Sequence, residues 1–536
     1  MGLKIIATII YLGITGILGY LGFRHTKTSE DYMLGGRKIH PVVMALSYGA
    51  TFISTSAIIG FGGTAAQFGM SLLWLTFMNI FFGIIIAFIL FGKRTRKMGH
   101  NLEAHTFPEL IGKRYQSRFM QKFAGSIIFF LMPVYASAVM IGAAKFIEWS
   151  LGTDYYIALF FFSIVVAIYV FFGGMKGVMY SDAFQGSLMF VGMAVLIVSV
   201  YSGLGGISAA HQKLTDLMSN PAVLEQLKVP AGFQGWTAMP TFLSTSWWVV
   251  VSSLVMGVGI GVLAQPQLIV RFMTVKSNRE INRAVPVGGI FILMMTGVAF
   301  IVGPLANVYF FEKTGEIATV AAKGTDNVIP VFLQTFMPEW FMAVFFVVIV
   351  AAGMSTLSSQ FHAIGTAVSR DLITSKDLDE RKQMLISRGG VLVAILITIL
   401  LAYILPSVWD GAIAISTGLF FGVCAAAFLP LYIGALYFRR ISKTAAISGM
   451  LAGFVTSILW MMFVHTKESA VLKVCSLLFG KESLAPAGSQ LAVIDPIIIS
   501  LAVSTITTIA VALLSKSKFD EKHIDTCFHE IDRKSR

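Results

Sequence analysis

An all-α integral membrane protein is the fold class this sequence predicts, and three observations predict it. Of its 536 residues 56% are hydrophobic and only 12% charged, with a mean hydropathy of +0.80, whereas a soluble domain carries about 25% charged residues. Apolar stretches of about 20 residues, long enough to cross a bilayer as helices, recur along the whole chain. The 50 glycines are spread through those stretches, as is common where transmembrane helices pack closely.

The expected helices, about thirteen, cover residues 4–23, 41–70, 71–92, 124–148, 155–173, 178–202, 243–270, 286–311, 338–368, 388–406, 411–437, 443–464 and 493–515. The first is too long for a signal-peptide core and lacks a small-x-small cleavage site, so it reads as a membrane helix. Outer loops at 203–242, 312–337 and 465–492 have room for short helices. Alternate segments (24–40, 93–123, 174–177, 271–285, 369–388, 438–443 and the tail after 515) hold 31 of the 40 Lys and Arg residues. By the positive-inside rule the N-terminus is outside and the C-terminus cytoplasmic, in the plasma or inner membrane of the cell. The net charge of +13 is then a topology signal, and nucleic acid is excluded as a partner. Cys424, Cys475 and Cys527 have neither disulfide nor metal spacing, and residues 516–536 read as an exposed charged tail.

Two expected spans are poor continuous helices. The second, "SYGATFISTSAIIGFGGTAAQFG", has glycines at 49, 60, 62 and 63 and hydroxyls at 51, 54, 55 and 56. The seventh, "LVMGVGIGVLAQPQLIVRF", has Gly257, Gly259 and Gly261 ahead of Pro266. Gly removes side-chain packing and Pro removes a backbone donor, so both segments are expected to unwind. The two spans lie five apart, which points to a five-plus-five inverted repeat with a site at the repeat interface. Close glycine packing is the plainer alternative. On that plan the single transporter domain, residues 1–536, has an extra first helix (4–23), repeats at 41–202 and 243–437, and two further helices within 443–515. The "GFGG" run is no phosphate loop, because no strand precedes it and no Lys-Ser/Thr follows.

The ninth span ends in "AAGMSTLSSQFHAIG", where Ser355, Thr356, Ser358 and Ser359 replace the aliphatic residues a lipid-facing helix wants. Helical spacing puts Ala352, Ser355, Ser358, Ser359 and His362 on one broad face. Neutral oxygens without Cys or a carboxylate cluster suit a small monovalent cation. Interhelical hydrogen bonding is the alternative. Asp182, in "GVMYSDAFQG", is a carboxylate inside a span and therefore needs a partner: a cation, the backbone or Lys176. Lys145 and Glu148 read as anchors near a helix end, and His362 as a proton carrier or a structural histidine. No metalloprotease motif, nucleophile elbow or carboxylate dyad marks an enzyme.

Taken together, "YMLGGR", "ALSYGATFIS", "GGMKGVMYSDAFQG", "AQPQLIVRFM" and "GMSTLSSQ" make the chain resemble the sodium/solute symporter family over nearly its whole length. That family includes proline, pantothenate, sialic acid and sugar transporters with the LeuT-like fold. The resemblance implies a common Na+ site at the carbonyls of Ala50, Ile53 and Ala352 and the hydroxyls of Ser355 and Thr356. It implies a second at Asp182, Ser355, Ser358 and Ser359. The implied solute pocket takes Thr51, Phe52, Ser54, Tyr135, Val258, Val262 and Gln265. Proline transporters carry Asp where this chain has Phe52, and Trp and Tyr where it has Val258 and Val262. Sugar transporters carry Gln where it has Ala57. The resemblance is nearest to the pantothenate and organic-acid branches. It implies sodium-driven import of a small carboxylate-bearing solute (pantothenate, a monocarboxylate or an amino acid) by a monomer in lipid. Proton coupling through Asp182 or His362 is the alternative, and a transporter-like sensor is another. The chain ends about 20 residues after its last expected span, which leaves no room for an attached kinase domain.

Overall fold

The structure is a computed structural model that describes residues 2–24, 29–172, 175–373, 380–486, 488–515 and 520–531. Lys27, Lys376, Lys516, Lys518, Arg533, Lys534 and Arg536, all counted in the charge asymmetry, lie outside the described residues. Among the described residues there is no strand, only a single parallel bridge between Ile39 and Val275. Among the described residues, eleven continuous helical segments are long and apolar enough to cross a membrane. Two shorter apolar helices, Pro41–Phe52 and Tyr155–Val170, lie within the expected spans 41–70 and 155–173, and the second half of 41–70 runs on into the long segment Ser56–Asn101.

We label the helices that position the site α1 (Gly2–Arg24), α2 (Pro41–Phe52), α3 (Phe61–Phe68), α4 (Arg118–Leu151), α5 (Tyr155–Phe172), α6 (Met175–Gly203), α7 (Pro266–Phe272), α8 (Val298–Thr314), α9 (Glu339–Thr366), α10 (Glu380–Val408), α11 (Ala412–Tyr437), α12 (Lys443–Phe463), α13 (Pro496–Leu514) and α14 (Glu521–Phe528). Their ends follow local chemistry. Pro41 opens α2, where a missing N–H costs nothing, and the His40 side chain accepts from the Val42 N–H. Ser117 caps α4, which stops at Gly152 in the left-handed conformation (φ 63°). Helix α6 packs on α2 and α9, and α9 packs on α4, so α9 lies in the interior with 94% of its apolar window buried.

Both expected breaks occur, the first at Ile53 and Ser54 rather than at a glycine and the second at the step before Pro266. Helix α2 stops at Phe52, and Ile53 is extended (φ −94°, ψ 103°). Ser54 Oγ then takes the Ser56 N–H at 3.1 Å and Ser56 Oγ at 2.7 Å. A side chain that satisfies nearby backbone competes with the helix, and here it wins. The chain resumes as a wide turn at Ser56–Gly60 and continues as α3. In the second broken segment Gly257–Gly261 stays helical, and the break falls at Gln265 (φ −79°, ψ 112°). The following Pro266 pushes that residue out of the helical region.

The glycines serve close packing instead. A Cβ on Gly303 of α8 would stand 2.1 Å from the Gly62 carbonyl, and one on Gly63 would stand 2.0 Å from the Thr325 carbonyl. The tail also departs from expectation. Helix α14 is docked rather than exposed, with Cys527 and Phe528 buried. The Arg114 and Arg439 guanidinium groups lie over the Phe528 ring, and Arg439 also pairs with Asp525.

Candidate ion and solute site

Three consecutive residues at the end of α2 reach in three directions. The Ala50 carbonyl belongs to the last turn, where backbone acceptors lack helical partners. It accepts from Ser355 Oγ at 2.9 Å and from Thr356 Oγ1 at 3.3 Å. Ser355 Oγ is also 3.1 Å from the Ala352 carbonyl, and Thr356 Oγ1 is 3.1 Å from the Thr51 carbonyl. Five oxygens from α2 and α9 therefore converge, all on buried residues. Four of the five residues expected at the common site are joined in this cluster. The fifth, Ile53, lies in the extended segment one residue beyond α2.

The Thr51 side chain turns the other way, out of the solute pocket where it was expected. Its hydroxyl reaches Asp182 Oδ2 at 3.3 Å and Ser359 Oγ at 2.9 Å. Ser47 Oγ donates to the same carboxylate oxygen at 2.9 Å, and Ser359 Oγ lies 3.4 Å from it. The cationic partner of Asp182 is Arg271, with Nη2 at 3.0 Å. Of the hydroxyls expected around Asp182, Ser359 is there. Ser355 belongs to the first cluster, and Ser358 donates to the Ser355 carbonyl at 3.1 Å. By sequence Arg271 falls among the loop charges, because it ends an apolar run and precedes other basic residues. It is in fact 1% exposed.

Phe52 points into a cluster of packed aromatic and aliphatic side chains. Its ring stacks on Phe421 with centroids 6.4 Å apart. Phe421 meets Tyr135 edge-on at 5.1 Å, and Tyr135 stacks on Phe420 at 6.0 Å. Gly83 lets Phe52 and Val262 come together, since a Cβ there would stand 3.2 and 3.4 Å from them. Val258, also buried, lies in the Gly257–Gly261 helix that packs on α11. The polar edge is Ser54 with Ser56, next to the Tyr135 hydroxyl. Gln265 stays outside this group: its amide donates to the Gly261 carbonyl at 3.1 Å and its oxygen accepts from Gln267 at 3.3 Å.

On the side with few basic residues, a cavity of about 310 Å³ runs along Gly418–Val423 of α11 to His465 and Asp495. Burial disfavours the charged form of His465, but Glu468 beside it raises the imidazole pKa above its ordinary value. On the basic-rich side a depression of about 590 Å³ lies among Asn101, Lys113, Gln121 and His523, and a cleft of about 20 Å³ lies among Met33, Phe107, Gln267, Ser359 and His362.

Among the described residues no three His, Cys, Asp or Glu side chains are placed to hold a metal ion together. The oxygen-only clusters suit a hard monovalent cation rather than a transition metal. Interrupted helices whose ends carry such clusters beside packed apolar side chains define a class, the multi-pass secondary transporter. A model of the sodium:solute symporter family matches residues 32–453, and the chain belongs to that family. The osmoregulated proline transporter OpuE of Bacillus subtilis (strain 168) is 27% identical over 481 residues, spanning 88% of this chain and 92% of that protein. The sodium/proline symporter of Salmonella typhimurium (strain LT2) is 27% identical over 453 residues, or 83% and 85% of the two chains. A Na+-coupled sialic acid symporter, solved substrate-bound and outward-open, shares the fold with a TM-score of 0.74. That match covers 96% of this chain and 98% of the other at 17% identity. The family consists of transporters, and the chain is not an enzyme.

Proposed function

We propose that this protein imports a small organic carboxylate together with sodium, by alternating access of a central site to the two sides of the membrane. The observation that carries the reading is the convergence of Ser355 and Thr356 with the backbone oxygens of Ala50, Thr51 and Ala352. Ile53 completes that ion site when the segment beyond α2 adjusts around the ion. One positive charge moved inward yields about 2.3 kcal/mol per 100 mV, so one or two sodium ions drive substantial accumulation. The basic-rich end is cytoplasmic in this reading, and a single chain holds the complete pathway. Residues 41–202 and 243–437 are its two repeats, each carrying one broken helix.

The solute sits among Phe52, Tyr135, Val258, Val262 and Phe421, with its polar end toward Ser54 and Ser56. The Bacillus subtilis and Salmonella typhimurium relatives named above are proline transporters. The side-chain cluster here offers apolar surface at Phe52, Val258 and Val262, which favours a more apolar acid. Competition against a labelled solute tests this placement. Substitution at Phe52, Ser54 or Val258 is expected to reorder the inhibitor series while leaving half-saturating sodium within about twofold, because a methylene in such a pocket is worth about 1–3 kcal/mol. An identical inhibitor ranking in all three variants places the pocket elsewhere.

A further inference from the structure

Arg271 closes α7, the half-helix that begins after the break at Gln265, and its guanidinium lies among oxygens from three other helices. Nη2 donates to Asp182 Oδ2 of α6 at 3.0 Å, to Ser359 Oγ of α9 at 2.6 Å and to Thr51 Oγ1 of α2. Nε donates to Ser47 Oγ of α2 at 3.1 Å, and Nη1 to the Gln267 carbonyl at 2.5 Å. One carboxylate and several hydroxyls around a single positive nitrogen form the oxygen shell that a hard cation takes.

The pair is also incompletely made. A rigid structural Arg–carboxylate pair uses both oxygens in a fork. Here the bonds to arginine and to all three hydroxyls fall on Oδ2, while Asp182 Oδ1 is buried with no hydrogen-bond partner. An unmade bond on a buried carboxylate is costly, and it leaves coordinating capacity that the guanidinium does not use.

We propose that Arg271 is a tethered cation that occupies the Asp182 site and exchanges with a sodium ion there. The guanidinium leaves as the ion enters, so the buried carboxylate is never without a positive partner. Its departure unties the end of α7 from α2, α6 and α9, which links ion binding at Asp182 to movement of the second broken helix. By reciprocity, whatever holds Arg271 in place weakens sodium binding at Asp182 by the same factor. The inference rests on the sodium-coupled reading above.

The test uses purified full-length protein, binding of radioactive sodium, and thermal unfolding in sodium against potassium at equal ionic strength. Arg271→Gln is expected to bind one more sodium per chain than the unmodified protein, or to bind the same number at least tenfold more tightly at the Asp182 site. Sodium should also raise its unfolding midpoint more than that of the unmodified protein. Arg271→Lys keeps a tethered charge and should restore the unmodified behaviour. Asp182→Asn/Arg271→Gln should lose the added ion, and Ser355→Ala/Arg271→Gln should keep it. Folded Arg271→Gln with unchanged sodium stoichiometry, affinity and midpoint shift overturns the proposal. If Arg271→Gln folds only in sodium, exchange is supported. If it folds in neither salt while the double asparagine–glutamine variant does, sodium cannot replace the arginine and the proposal fails. Absence of sodium binding to the unmodified protein instead overturns the sodium-coupled reading itself.

Discussion

Replacing Ser355 or Thr356 with alanine raises the sodium concentration for half-maximal uptake by about tenfold to a hundredfold. Each hydroxyl approaches a carbonyl at the end of α2, Ser355 at 2.9 Å and Thr356 at 3.1 Å. An ion in that cluster takes the oxygen of each side chain, and a bond to a charged partner is worth about 1.5–3 kcal/mol. Each factor of ten corresponds to about 1.4 kcal/mol. The maximal rate at saturating sodium should fall less, because the side-chain cluster around Phe52 is untouched. Sodium titration of uptake in proteoliposomes measures both quantities. If both variants keep the unmodified half-saturating sodium, the hydroxyls only hold α2 to α9.

Asp182→Asn has a second large effect, and its sign follows from Arg271. The amide keeps the shape and the hydroxyl contacts, but the guanidinium is left buried without a counter-charge. Breaking a buried pair from one side costs about 3–5 kcal/mol. The unfolding midpoint should therefore drop, and the sodium dependence of the surviving protein should become a one-site curve. Adding Arg271→Gln should recover part of the midpoint, because two neutral amides can share the same hydroxyls. A midpoint and a sodium curve both unchanged by Asp182→Asn would contradict this account of the pair.

How much of this was legible beforehand differs from residue to residue. Ser355 and Thr356 could be read from the sequence because hydroxyls in a run of aliphatic residues are conspicuous. The second helix break was legible in Pro266, whereas the first falls at Ser54, whose side chain takes a backbone N–H that no glycine pattern shows. Arg271 was hidden because a basic residue at the end of an apolar run looks like the start of a loop. Only the tertiary fold brings residues 182 and 271 together. Phe420 and Phe421 carried no signal, since a helix apolar all round gives no periodicity to read. The docking of α14 was missed for a related reason: a short segment carrying Glu521, Lys522 and Asp525 looks solvated until Phe528 finds Arg114 and Arg439.

The central claim is that inward sodium drives transport through the cluster joining α2 and α9. The most direct measurement is uptake of a labelled carboxylate into proteoliposomes under an imposed sodium gradient, a potassium gradient or a proton gradient, at matched membrane potential. Accumulation above equilibrium with sodium alone, and its loss in Ser355→Ala at the same sodium concentration, is the predicted result. Equal accumulation in sodium-free choline buffer under a proton gradient would contradict it.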